Sequence, residues 1–339
     1  MKMNKELIEA LDKLSYFLEN ESEELNSWID LAKNNNSWHT PTETKRALKA
    51  WSETLKKDQL ESWLANYEVK EVEPKKIGLV LAGNLPMVGF HDVLTVLLSG
   101  HIAYIKLSSQ DNVLIPKILE WLIKELASVE KQIVYAERLN EVDAVIVTGS
   151  NNTAQHFEQY FKDKPKVIRR NRNSVAVMNG EESFEEIQGL GLDMFSYYGQ
   201  GCRNVTKLFF PSNYDITKLL DQLHDYAYVI DHHKYFNNYN YYKSIYLVNK
   251  EDHLDTGFVM LKESKDLQAP LSVLYYERFD NVELLEERLN AISGDIQCVV
   301  SNMNLKIASP IFGFGESQCP ALDDYADGVD TMAFLNSLK

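Results

Sequence analysis

The 339-residue chain is 45% hydrophobic and 25% charged, ordinary for a soluble globular protein and long enough for two domains around a large core. Its net charge of −15 disfavours non-specific nucleic-acid binding, so positive charge for any phosphorylated ligand has to be gathered locally. No apolar run is long enough to span a membrane, and three widely spaced cysteines (Cys202, Cys298, Cys319) fit neither a disulfide framework nor a zinc-binding pair, so a reducing cytoplasm is the expected compartment.

The N-terminus leads into an amphipathic helix rather than a signal-peptide core. Leu7, Leu11, Leu14, Phe17 and Leu18 recur at helical spacing, giving one or two helices over residues 4–34. Pro41 and Thr42 open a long helix carrying Ala47, Leu48, Trp51, Leu55, Leu60, Trp63 and Leu64 to about Tyr67. Trp28, Trp38, Trp51 and Trp63 suggest a packed helical layer, with an acyl groove as the alternative.

From Lys76 the pattern alternates strand and helix. Strands are predicted at 77–82, 102–106, 133–134, 142–148 and 167–169, with helices at 90–99, 113–127 and 152–161 between them. Such alternation implies a mostly parallel, doubly wound sheet with ligands at the carboxyl ends of its strands. The turns at Gly83, Lys106 and Gly149 are such ends.

A second unit begins near Asn173. It has a strand at 175–178, a helix at 184–195, a strand at 205–210, a helix at 216–230, and strands at 271–278 and 296–300 around a helix at 282–292. The stretch 235–246, dense in Tyr and Asn, reads as irregular. An acidic turn and a short apolar end close the chain.

Chemistry concentrates at Gly199-Gln200-Gly201-Cys202. Glycines let backbone approach a ligand closely, and a thiol held there can attack a carbonyl while amide N–H groups meet the oxyanion. A small buried cysteine beside an ordinary turn is the alternative. Asn84 can donate N–H to a carbonyl oxygen, or simply belong to a turn. Lys106 can reach a ribose or phosphate, or end a solvated strand. Thr148-Gly149-Ser150 precedes a helix N-terminus suited to a pyrophosphate, or supplies its cap. Neither a Walker A sequence nor a G-x-G-x-x-G fingerprint is present; Gly189-Leu-Gly191 and Gly313-Phe-Gly315 are too short. Arg169, Arg170 and Arg172 either hold phosphate or pack against acids. His224, His232 and His233 lack a carboxylate cluster at metal-site spacing, and no metal is expected. Asp323, Asp324, Asp327 and Asp330 read as a solvated surface.

Taken in order, Gly83-Asn84-Leu-Pro86, Lys106-Leu-Ser108, Thr148-Gly149-Ser150, Asn173-Ser174-Val-Ala-Val and Gly199-Gln200-Gly201-Cys202 resemble the aldehyde dehydrogenase superfamily. Pro320-Ala-Leu-Asp-Asp-Tyr and Gly328-Val-Asp are similar to the C-terminal signature of its acyl-CoA reductase branch, which includes the fatty-acid reductase of bacterial bioluminescence (LuxC-like). The resemblance implies an α/β fold with two doubly wound, Rossmann-like parallel-sheet domains under an N-terminal helical layer. It divides the chain into helices and an NADP-binding domain (1–172), a catalytic cysteine domain (173–312) and a C-terminal segment (313–339) packing back on them.

By the same resemblance Cys202 is the acyl-accepting nucleophile, and Asn84 with the Cys202 backbone N–H forms the oxyanion hole. Lys106 and Ser108 approach the adenosine ribose, and Gly149 and Ser150 the pyrophosphate. Two departures carry meaning. Aldehyde-oxidising members have a water-activating Glu where Arg169 or its neighbours stand here, and commonly a Glu at the position of Ser109, where a carboxylate holds ribose hydroxyls. Losing the first suits a reductase whose thioester must survive. Losing the second favours NADPH, with NADH as the alternative. The segment after Cys202 is also compressed. The expected activity is reduction of an acyl-CoA, or an acyl group on a carrier, to an aldehyde. A second copy of the chain or an acyl-activating enzyme is the candidate partner. The rivals are a cysteine-dependent acyltransferase or thioesterase, and a non-catalytic scaffold.

Overall fold

A computed structural model describes residues 2–68, 73–149 and 151–338 and divides the chain into two compact units, Met1–Asn171 with Ala321–Lys339, and Arg172–Pro320. The segment expected from residue 313 is thus split, with 313–320 in the second unit and 321–339 in the first.

In the first unit four helices form the N-terminal layer: α1 (Lys2–Glu19), α2 (Glu23–Asn35), α3 (Pro41–Thr54) and α4 (Lys57–Leu64). The single long helix expected from Pro41 is two, because Lys56 turns extended at ψ 142. Asp12 Oδ1 in α1 accepts the Lys57 N–H at 2.8 Å, capping the second piece from outside. The tryptophans pack as a layer: Trp28 and Trp63 are buried, Phe17 meets Trp28 at 5.2 Å, and Trp51 meets Phe90 edge-on at 4.8 Å.

Beneath lie β1 (Lys76–Val80), α5 (Phe90–Leu98), β2 (Ile102–Lys106), α6 (Leu114–Glu125), β3 (Ile133–Tyr135), β4 (Ala144–Thr148), α7 (Asn151–Tyr160) and β5 (Lys166–Arg169). The five strands are parallel in the order β3-β2-β1-β4-β5. The near-continuous apolar sequences of β1 and β4 follow from burial on both faces.

The second unit holds β6 (Asn173–Val177), α8 (Phe184–Phe195), β7 (Val205–Pro211), α9 (Ile216–Gln222), α10 (His233–Asn249), β8 (Leu254–Asp255), β9 (Met260–Glu263), β10 (Val273–Phe279), α11 (Val282–Ala291), β11 (Ile296–Val300) and β12 (Ile311–Phe312). The sheet order is β12-β11-β6-β7-β10-β9-β8, parallel except for β8 against β9. The Tyr- and Asn-rich stretch, expected to be irregular, is the helix α10. Tyr235, Tyr239 and Tyr246 fall on one buried face, and the Tyr239 hydroxyl donates to Asp255 at 2.6 Å. Tertiary burial overrides weak propensity here. The helix expected at 216–230 is α only to Gln222 and continues as a 3-10 turn.

The C-terminal residues are sewn into the first unit, ending in α12 (Thr331–Asn336). Trp63 Nε1 donates to the Tyr325 hydroxyl at 2.9 Å, and Tyr67 to Asp330 at 2.9 Å. Asp330 also caps α12, and Asp327 accepts the Arg170 N–H. These two acids are therefore structural rather than part of a merely solvated surface. Arg169 Nη1 reaches both Asp92 oxygens at 2.8 and 2.7 Å, while Nη2 reaches Thr331 Oγ1 at 2.7 Å. Arg170 pairs with Glu158 at 2.8 Å. Both arginines serve acids, as the packing alternative held.

Replacing Arg169 by Met leaves the Asp92 carboxylate buried and unpaired, and should cost about 3–5 kcal/mol in urea unfolding. The double variant Arg169→Met/Asp92→Leu should recover most of that. A loss under about 1 kcal/mol in the single variant would show that the pair does not hold the C-terminal segment.

Candidate active site

The first unit gathers several of the expected residues at one sheet edge. Val80, the end of β1, pairs with Lys106 of β2 on one side and Val147 of β4 on the other. The chain leaves β1 towards β2 and β3, then returns on the far side in β4. The carboxyl ends of β1 and β4 therefore flank a topological switch point, where open parallel sheets bind ligands. Half-buried Asn84 follows β1, exposed Lys106 ends β2, half-buried Ser108 follows it, and half-buried Gly149 follows β4 just before α7. Ser150 lies outside the described residues.

Gly83 makes this edge tight. A Cβ there would stand 2.6 Å from Ser108 Oγ and 2.8 Å from the Asp111 nitrogen, so the turn carrying Asn84 rests directly on the turn after β2. Ser109 is exposed, and its backbone oxygen accepts from Asn35 Nδ2 at 3.2 Å. An exposed cation, a hydroxyl, a small neutral residue and a helix start at a switch point fit the ribose and phosphate groups of a dinucleotide.

In the second unit Cys202 lies in the connection from α8 to β7, at the amino end of that strand. The Ser174 hydroxyl donates to its backbone oxygen at 2.9 Å, tying the turn to the start of β6. Cys202 is exposed. Cys298, in contrast, is fully buried in β11, and desolvation pushes its thiol up to about 11. Ahead of Cys202 the backbone is left-handed at three successive residues, Tyr197 (φ 54°), Tyr198 (φ 58°) and Gly199 (φ 75°). Two tyrosines in that region store strain.

Asn204 holds the turn. Its Nδ2 donates to the backbone oxygens of Asp193 and Ser196, each at 3.0 Å, and its Oδ1 accepts the Gly201 N–H at 2.7 Å. Asp193, fully buried in α8, receives Gly315 N–H at 2.6 Å and Ser317 Oγ–H at 2.6 Å. The Ser317 oxygen also lies 3.1 Å from the Arg203 backbone oxygen. Gly189 fits against this strap only because a Cβ would stand 2.6 Å from the Phe314 oxygen. The short glycine pairs are packing contacts. Arg203 stacks over the Phe312 ring at 5.4 Å.

A cavity of about 250 Å³ opens beside the same turn, lined in part by Phe195, Tyr198, Gly199, Val205, Tyr235 and Leu271. Thr206 Oγ1 is buried with no hydrogen-bond partner among the described residues. Tyr198 lines this cavity, whereas Tyr197 and exposed Phe236 do not. Among the described residues no group of three His, Cys, Asp or Glu could hold a metal, and no helix is long and apolar enough to cross a membrane. His232 instead stacks on His233 at 5.1 Å and lies 4.6 Å from the Tyr198 ring.

Asn204, Asp193 and Asp111 stand in no motif of the sequence, and Ser174 stands only in the Asn173-Ser174 run. The available signal was a lone acid inside the apolar run Leu190-Gly-Leu-Asp-Met-Phe, and a polar residue immediately before β7.

The family model for acyl-CoA reductase (LuxC) matches residues 25–219. No curated protein matches the sequence. Among solved structures, a Mycobacterium tuberculosis aldehyde dehydrogenase complexed with NAD+ is similar at TM-score 0.65 and 14% identity, over 92% of this chain and 77% of that one. An NADP-dependent glyceraldehyde-3-phosphate dehydrogenase from Bacillus halodurans complexed with NADP gives 0.66 and 13%, over 92% and 78%. Aldehyde dehydrogenase 21 from Physcomitrella patens, in complex with succinate, gives 0.66 and 12%, over 98% and 84%. The fold is aldehyde dehydrogenase-like.

Burial pushes the Asp193 carboxyl up to about 6, above the ordinary 3.8. A raised folded value means stability present below the ordinary value and lost as pH rises through 6. Measured against Asp193→Asn, the wild type should gain about 1 kcal/mol in urea unfolding on going from pH 7.5 to pH 5. A gain in the opposite direction would show Asp193 to be ionised without penalty.

Proposed function

Because the chain belongs to the acyl-CoA reductase (LuxC) family, we propose that it reduces an acyl-CoA, or another acyl thioester, to an aldehyde with NADPH through an acyl-enzyme on Cys202. One observation carries this reading: the turn latched by Asn204 carries an exposed cysteine two residues beyond Gln200, which with Gly199 lines a cavity of mixed but mainly apolar character. A structural cysteine needs no such presentation; Cys298 shows what one looks like here.

The Cys202 thiolate attacks the thioester carbonyl, the C–S bond to CoA breaks, and CoA leaves as its thiolate. The Asn84 side-chain N–H and the Cys202 backbone N–H stabilise the oxyanion of the tetrahedral intermediate. When bound, the nicotinamide supplies the hydride that reduces the resulting thioester. Collapse of the hemithioacetal on Cys202 then frees the aldehyde and returns the thiolate. Lys106 and Ser108 would hold the ribose side of the cofactor, and Gly149 with Ser150 would hold its pyrophosphate. With Ser109 in place of a carboxylate, a 2′-phosphate meets no like charge beside Lys106. Arg169, fixed on Asp92, is no base, and this supports a long-lived thioester rather than hydrolysis. The acyl chain takes the cavity beside Tyr198 and Leu271. At about 250 Å³ it falls just below the ~300–1,000 Å³ of drug-sized sites, which favours acyl chains of modest length.

Incubation with a panel of acyl-CoAs and NADPH or NADH, followed by cofactor absorbance, tests the reading. NADPH should be oxidised faster than NADH, Cys202→Ala should abolish the reaction, and Asn84→Ala should slow it about 10²–10³-fold. No oxidation with any donor, or equal rates in Cys202→Ala, would defeat it. Release of CoA without cofactor oxidation would identify the acyltransferase or thioesterase instead.

Filling the cavity with Leu271→Trp should lower kcat/KM for octanoyl-CoA more than for acetyl-CoA, by about tenfold. An equal effect on both donors would place the acyl chain elsewhere.

A further inference from the structure

We propose that Asp111 is a positioning residue that locks the turn carrying Asn84 to the turn carrying Lys106 and Ser108, so that oxyanion donor and cofactor contacts move as one body. This rests on the reading above for the roles of those three residues and deepens it.

The geometry is specific. Asp111 is 2% exposed, and its Oδ2 accepts the Met87 N–H at 2.7 Å. Met87, three residues after Asn84, is itself left-handed at φ 60°, a conformation that needs holding. The Asp111 N–H donates to the Ser108 backbone oxygen at 3.2 Å, closing the second turn on itself. Gly83 brings the two turns into contact with no side chain between them. The Leu114 N–H at the start of α6 faces the same carboxylate. One buried group thus meets the exit of β1, the exit of β2 and the next helix.

The N-terminal layer backs this junction. Asn36 Nδ2 donates to the Gln110 backbone oxygen at 3.2 Å, beside the Asn35 bond to Ser109. The His39 ring donates to the Gly83 backbone oxygen, and burial lowers its pKa to about 4, so it stays neutral.

Stability does not account for Asp111. Burial pushes its carboxyl up to about 6, so ionisation at neutral pH works against the fold, and Oδ1 is buried with no hydrogen-bond partner among the described residues. A group that weakens the fold and aligns two strand exits is placed for function.

The test is Asp111→Asn in the full chain, with Gly83→Ala as a second variant that pries the same contact from the other side. Three readouts are taken: Tm, steady-state kinetics against NADPH, and amide hydrogen exchange. Asp111→Asn should keep or raise Tm. Its kcat should fall about ten- to hundredfold with NADPH KM rising alongside, because small displacements at a reacting centre are amplified in rate. Exchange should quicken together at 87–89 and 108–110, and Gly83→Ala should reproduce the joint loosening. A lowered Tm with unchanged kinetics, or exchange that quickens at one turn alone, would overturn the proposal. Should the wild type oxidise no NADPH with any acyl-CoA, the functional reading fails and the exchange pattern alone decides the clamp.

Discussion

The Asn204 carboxamide is the fixed point of the second unit. Of three consecutive left-handed residues, the two tyrosines cost about 1–3 kcal/mol each and persist only if the surroundings over-determine them, while Gly199 adopts the conformation freely. Asn204 does so by joining the last carbonyls of α8 to the Gly201 N–H, so that helix end and thiol turn share one side chain. Being 1% exposed, it makes these bonds away from competing water. The strap 313–318 then closes on Asp193 and the Arg203 oxygen, fixing the other side of the turn. The strain is local, and Cys202 is left exposed.

Each unit repeats one device with different residues. A buried aspartate sits where two segments of backbone must be held together: Asp193 between α8 and the strap, Asp111 between the exits of β1 and β2. Desolvation raises both carboxyls to about 6. A carboxylate accepts several N–H groups at once from directions no backbone carbonyl can cover. The energetic penalty of burying it is therefore exchanged for fixed geometry where two segments meet. The Arg169–Asp92 pair is a third buried acid, but with a guanidinium opposite it.

What was legible in the sequence follows the physics of burial. Strands covered on both faces read as apolar runs, so Ile77 to Val80 and Val145 to Val147 announced the first sheet, and glycine after a strand announced its turns. The Cys202 turn and the Asn84 turn were visible as residue types in order. The helix α10 was not, because Tyr and Asn are weak helix formers and exposed Phe236, Tyr241, Leu247 and Val248 blur its apolar face. Nor were β8 and β9, a four-residue hairpin arm against a two-residue one, too short for any periodicity. The residues that hold the turns were hidden for a different reason. Asn204, Asp193 and Asp111 act through side-chain bonds to backbone, and Asp193 and Asp111 reach partners far along the chain, which no local pattern encodes.

The N-terminal helices gain a purpose from this. Composition alone makes them a lid over one face of a parallel sheet, and their tryptophans supply the packing. The end of α2 and the loop after it do more: Asn35, Asn36 and His39 bond to backbone oxygens of both strand-end turns, at Ser109 and Gln110 in one and at Gly83 in the other. These bonds are made to main chain, so they fix the turns whatever side chains those turns carry. The Ser109 side chain can therefore vary without loosening its loop. A scaffold that fixes backbone in this way leaves the side chains of its turns open to change while their positions along the sheet edge stay the same.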